Sequence, residues 1–197
     1  MTYKDQMAQM AAYRREIVGI RKRMATLSAL VEPEPVRDYT LSERVGSEDN
    51  RVALSSLFGR HRELFVIHSM GINCAYCTAW ADGYNGVYTH LASRAAFCIV
   101  GPDEPAAQHA FARERGWRFR LLSHRGTSFA DELGYRSENG NLLPGLSVLR
   151  LEGTKIVRTS DAPARPGDDF SPLCRLMELL PGGWESFTPK ISYPDED

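Results

Sequence analysis

The sequence predicts an α/β fold, a central sheet flanked by helices, with an N-terminal helical extension. Three observations carry this. Apolar runs of strand length, Glu63–Met70, Ala95–Gly101 and Trp117–Leu122, alternate with segments of helical composition. Leu146–Leu151 and Thr154–Arg158 flank Glu152-Gly153 as a β-hairpin would. Residues 4–31 place Met7, Met10, Ile17, Val18, Met24, Leu27 and Leu30 at helical spacing. The order βαβαβα…ββα describes one α/β sheet with a hairpin at its edge.

Taken along the chain, the first segment is an amphipathic helix or helix pair, with Gly19 as a weak point. It ends at Glu32-Pro-Glu-Pro35, because a proline disfavours helix in the residue before it. Its apolar stripe suits a packing arm or a homodimer contact. Residues 38–57 read as irregular, with short strands at Tyr39–Leu41 and Arg51–Leu54. A helix follows the turn Gly71-Ile-Asn73 and runs to about Arg94; another starts at Pro105 and stops at Gly116. Thr127–Gly134 is a short helix with a hydroxyl cap and a glycine stop. Residues 162–168 are a loop, and Pro172–Leu180 a last helix halted by Pro181-Gly-Gly183. Expected boundaries are 1–37 for the extension, 38–183 for the main domain and 184–197 for a mobile, acid-ended tail.

Composition narrows the functions. A formal net charge of −1 offers no electrostatic reason to bind nucleic acid or anionic lipid. No apolar run approaches the ~20 residues of a membrane span. The polar start Met-Thr-Tyr-Lys-Asp-Gln lacks the apolar core of a secretory signal, so a cytoplasmic, reducing compartment is expected. In that compartment the four cysteines do not form a structural disulfide framework.

The chemistry concentrates in Cys74-Ala-Tyr-Cys77, which sits where a strand gives way to a helix. A thiolate there faces unpaired backbone N–H groups and the positive end of the helix dipole, which lower its pKa. Cys74 is the expected attacking thiolate. Cys77, separated from it by two residues, is the resolving thiol. Zinc is the competing use of such a pair, but no second Cys or His pair completes four ligands. No metal or organic cofactor is therefore expected. Cys98 falls in a strand and Cys174 in an amphipathic helix, positions that suit buried thiols.

Other residues could support the pair. Asp82 either takes the proton from Cys77 or belongs to an Asp-Gly turn. Trp80 is a core or site-wall aromatic. His68, in the strand before the motif, either tunes Cys74 or is packed and hydrogen-bonded, and His124 is as undecided.

The strings Val52–Arg60, Leu64–Met70, Cys74-Ala-Tyr-Cys-Thr-Ala-Trp-Ala-Asp-Gly83, Gly116-Trp117 and Pro144–Val148 carry a resemblance. Across most of residues 39–183 the chain resembles a bacterial thioredoxin-like family of unknown function, related to the alkyl hydroperoxide reductase/thiol-specific antioxidant superfamily. The resemblance implies a thioredoxin-like sheet and a redox dithiol. It also implies a cis bond before Pro144, facing the thiols, which X-Pro permits at about 0.5–1 kcal/mol. Two departures stand out. Asn73 occupies the place of the tryptophan that usually precedes the first thioredoxin cysteine. Ile67 and Gly71 occupy the places of the peroxiredoxin Pro and Thr. The expected function is thiol–disulfide oxidoreduction, with a protein or small-molecule disulfide as substrate and a dithiol as electron donor. The alternatives are a thioredoxin-fold binding or scaffold protein and a weak thiol peroxidase.

Overall fold

The computed structural model describes residues 1–194. It divides into two compact units, Met1–Pro33 and the remainder from Glu34. In the first, α1 spans Tyr3–Ser28 and passes through Gly19 without interruption. Its start is a capping box: Thr2 Oγ1 accepts from the Asp5 N–H and the Asp5 carboxylate accepts from the Thr2 N–H.

The second unit is built on a sheet of β1 (Glu34–Val36), β2 (Thr40–Val45), β3 (Glu48–Ala53), β4 (Glu63–His68), β5 (Ala96–Gly101), β6 (Arg120–Ser123), β7 (Gly145–Glu152) and β8 (Lys155–Pro163). Their order is β1-β8-β7-β4-β5-β6-β2-β3. The apolar strand β4 lies inside the sheet, parallel to β5 and antiparallel to β7. Crossover helices α2 (Ala75–Arg94) and α3 (Pro105–Glu114) join the parallel strands β4, β5 and β6. Two shorter helices, α4 (Phe129–Glu132) and α5 (Pro172–Met177), follow.

Alternation along the strands divides the core in two. Leu64 and Val66 of β4 join Cys98 and Val100 of β5 in one cluster, with Phe58, Phe129 and Tyr135. Ile67 of β4 joins Phe97 and Ile99 of β5 in the other, with Trp80, Ala81 and Tyr84 from α2. Neighbouring strand residues point to opposite faces, so the two clusters lie on opposite sides of the sheet. The motif helix belongs to the second side.

Three expectations for irregular segments change. Residues 40–53 form a regular hairpin turning at Gly46, which adopts φ +62°. It is largely polar on β3, which joins the sheet as an edge and gives no strong apolar signal. β8 extends through Pro163 into the predicted loop, since Ala162 pairs with Leu146 and Pro163 with Gly145. Pro163, which has no N–H to give, is tolerated at the strand's last position. The final segment, expected as a tail without regular elements, contains a 3-10 turn at Trp184–Ser186, and Arg115 Nη1 donates to the Ile191 carbonyl at 2.7 Å. The terminal acids 195–197 lie outside the described residues.

Candidate active site at the start of the motif helix

The loop after β4 is shaped by glycine and an acid. Gly71 has φ +117°, and a β-carbon there would stand 3.0 Å from the Asp103 carboxylate, which accepts from the Ile72 N–H at 2.9 Å. Cys74 then caps α2. It keeps an extended backbone, and its Sγ accepts from the Cys77 N–H at 3.1 Å, the bond that a Ser or Asp oxygen makes at other helix starts. Sequence spacing thus puts the sulfur of one cysteine on the backbone donor of the other.

The two sulfurs differ electrostatically. Cys74 is held down to about 7, first by the hydrogen bond from the Cys77 thiol and then by the backbone N–H groups of Cys77 and Tyr76, against the opposing effect of burial. Cys77 is pushed strongly up, because its proton is held against the Cys74 sulfur and because it is buried beside that charge. Two donors work in the other direction: the Met70 N–H, 3.5 Å from Cys77 Sγ, and the Ser69 hydroxyl. Both cysteines are free thiols and half-buried. A partly accessible thiolate next to a protonated neighbour is the arrangement that disulfide exchange requires.

The remaining predicted residues separate into two groups. Trp80 and Pro144 line a small cavity of about 30 Å3 together with Cys77. Trp80 is 5% exposed and is a wall of the site as well as core. The Leu143–Pro144 bond is trans, contrary to the cis expectation. In this form the Leu143 N–H donates to the Tyr135 carbonyl and the Pro144 carbonyl accepts from Ala164 N–H at 3.1 Å, continuing the β7–β8 pairing by one step.

His68 borders the same cavity, but its imidazole, like the Asp82 carboxylate, is engaged by other partners. His68 shares its strand face with Leu64 and Val66, the side of the sheet opposite α2. There its Nε2 lies 2.9 Å from Ser147 Oγ and its ring stacks on Tyr135 and Phe129. Burial, then Arg158 and His124, hold its pKa well below the usual histidine value. It is the packed, hydrogen-bonded histidine of the two readings. Asp82 lies five residues beyond Cys77 within α2, about 140° around the helix, so no Asp-Gly turn exists at this point. Its carboxylate accepts two bonds from Arg115, at 3.1 and 2.5 Å, and one from Trp117 Nε1 at 2.7 Å. Trp117 in turn lines the cavity beside Cys77. His124 is buried on the His68 side, where it stacks on Phe129.

Cys98 is fully buried, and burial pushes its thiol up to about 12. Cys174 is buried in α5. Among the described residues, no cluster of three or more His, Cys, Asp or Glu side chains could hold a metal ion, and no helix is long and apolar enough to cross a membrane.

Three contributors escaped the sequence reading. Ser69 carries no motif signal beyond its place at the end of a strand. Asp103 reaches the motif loop from a position after β5, thirty-one residues from its partner Ile72. Trp184 packs edge-on to Tyr76, with ring centroids 6.3 Å apart, bringing the C-terminal segment to the dipeptide between the cysteines.

Residues 8–196 match a family described as "Bacterial protein of unknown function (DUF899)". The chain belongs to this family. No curated protein matches it. Among solved structures, it is similar to a candidate thioredoxin reductase from Burkholderia cenocepacia, with 16% identity, a TM-score of 0.56, and coverage of 68% of this chain and 88% of that one. It is also similar to reduced Prx3 of Vibrio vulnificus in complex with hydrogen peroxide, at 16% identity and TM-score 0.54, over 71% and 88% of the two chains. A third is the bacterioferritin comigratory protein of Xanthomonas campestris, at 16% identity and TM-score 0.51, over 62% and 82%. At these identities the likeness establishes the fold, which is the thioredoxin-like architecture implied by the sequence resemblance.

Proposed function

We propose that the protein is a thiol–disulfide oxidoreductase acting through Cys74 and Cys77. The observation that carries this reading is the asymmetry of the pair: Cys74 caps α2 with its pKa lowered to about 7, while Cys77 stays protonated against it. The Cys74 thiolate attacks one sulfur of a substrate disulfide R–S–S–R′, forming Cys74–S–S–R and releasing R′–S⁻. Cys77 loses its proton to solvent and attacks Cys74 Sγ. The Cys74–Cys77 disulfide forms and R–S⁻ leaves, so two electrons pass to the substrate. A cellular dithiol then returns the pair to the reduced state by the reverse exchange. The substrate is a protein or small-molecule disulfide.

Turnover of a disulfide substrate in a dithiothreitol-coupled assay tests the reading. Cys74→Ser should abolish turnover, and Cys77→Ser should trap the mixed disulfide. Full activity in Cys74→Ser would overturn it.

The same thiolate favours a second reading, peroxide reduction, and one solved relative is a peroxiredoxin in complex with hydrogen peroxide. Cys74–S⁻ and H2O2 would give Cys74–SOH and hydroxide, and condensation with Cys77–SH would give the disulfide and water. Ile67 and Gly71, in place of the usual Pro and Thr, weigh against it. Oxidation of Cys74 by peroxide no faster than a free thiol would leave disulfide exchange as the activity.

A further inference from the structure

The loop between β4 and α2 wraps the second sulfur as well as the first. Ser69 and Cys77 line the same small cavity, and the next residue, Met70, points its N–H at Cys77 Sγ from 3.5 Å. Ser69 is fixed in this position. Its N–H donates to the Val100 carbonyl at 2.9 Å, and its Oγ accepts from the Gly71 N–H at 3.1 Å. With an acceptor site of the hydroxyl occupied by Gly71, its proton is available for donation into the cavity that it shares with the Cys77 side chain.

Resting on the dithiol reading above, we propose that Ser69 is a catalytic residue of the resolving step, its hydroxyl and the Met70 N–H together stabilising the negative charge on Cys77 Sγ. That charge exists at two moments. When Cys77 attacks the mixed disulfide, its S–H proton has gone to solvent; the Cys74–S–S–Cys77 bond forms as R–S⁻ departs. When an external thiolate reduces the enzyme at Cys74, the Cys74–Cys77 bond breaks and Cys77 leaves as the thiolate. Neither moment involves the first attack by Cys74, whose own donors are the Cys77 thiol and the backbone of Cys77 and Tyr76. Ser69 therefore acts on one half of the cycle. Charge-assisted hydrogen bonds of this kind matter most where water is excluded, and Cys77 is the more buried of the pair in its role.

The test is the reaction of reduced protein with dithiobis-nitrobenzoate under single turnover. A first thionitrobenzoate is released as Cys74 forms the mixed disulfide, and a second as Cys77 resolves it. In Ser69→Ala the ratio of second-phase to first-phase rates should fall roughly tenfold, the loss expected for one hydrogen bond to a charged group. The pH at which the second phase half-saturates should also rise, and Ser69→Thr should restore both. Equal slowing of the two phases, or an unchanged ratio and pH profile in Ser69→Ala, would overturn the proposal. Failure of the underlying reading looks different: wild-type protein would release no second thionitrobenzoate, whatever residue stands at 69.

Discussion

The Tyr135 ring lies so close to Gly145 that a β-carbon built on the glycine would stand 2.2 Å from Tyr135 Cε1. The ring has nowhere to go. It stacks on His68, with centroids 3.5 Å apart, and its hydroxyl donates to the Leu146 carbonyl at 2.9 Å. The Ala162 carbonyl, 2.8 Å from the same point, closes the other escape. Gly145 directly follows Pro144, so this contact shapes the loop that lines the Cys77 cavity.

Gly145→Ala should therefore lower folding stability by about 1–3 kcal/mol, the usual cost of overpacking a tight site. Urea unfolding measures it. An unchanged midpoint would mean that Tyr135 moves aside freely.

The Cys74 thiolate should be visible by ultraviolet absorbance, titrating near pH 7, and alkylation of Cys74 should accelerate over the same range. The first cause of the lowered value is the hydrogen bond from the Cys77 thiol. In Cys77→Ala the titration should accordingly move up toward the ordinary cysteine value. It should not move the whole way, since the backbone donors of Cys77 and Tyr76 remain. A Cys77→Ala titration that stays at the wild-type pH would assign the effect to the helix terminus alone.

Asp82 gives a test of position against chemistry. Its carboxylate is engaged by Arg115 and Trp117, on another side of α2 from Cys77. Asp82→Asn should loosen Trp117 and lower stability, leaving the pH profile of the resolving step as in wild type. A rise in the pH required for resolution would return Asp82 to the role of base.

His68 and His124 are both buried and both have lowered pKa values, chiefly through burial. Below the unfolded histidine value of about 6.5, the unfolded chain takes up protons that the folded chain does not, so stability falls as pH falls. Each histidine that stays neutral contributes a slope of about 1.4 kcal/mol per pH unit, beginning near pH 6.5 and ending at its folded pKa. Urea midpoints between about pH 7 and pH 5 should show this. His68→Gln should flatten the dependence, and an unaltered slope would remove His68 as a contributor.

How much of this could be read in the sequence depends on the range of the interaction. The buried strands β4 and β5, the motif helix and the β7–β8 hairpin announce themselves through local apolar runs, caps and turns. The placement of Cys74 at a helix start follows from the same local pattern. His68 and Asp82 were ambiguous because their roles turn on direction. The pleat of β4 sends His68 to the far face, and the pitch of α2 carries Asp82 round to Arg115 and Trp117. Asp103 and Trp184 approach from distant sequence, through contacts no local window contains. The β2–β3 hairpin was obscured because its outer strand is an exposed, polar edge.

Disulfide exchange requires Cys74 and Cys77 to form a reversible two-electron couple. Equilibrating the protein in glutathione or dithiothreitol buffers of graded potential, with Cys77→Ser as the control, tests it most directly. A single transition between dithiol and disulfide is expected between roughly −120 and −300 mV, absent in the control. Two thiols that remain reduced in every buffer would contradict it.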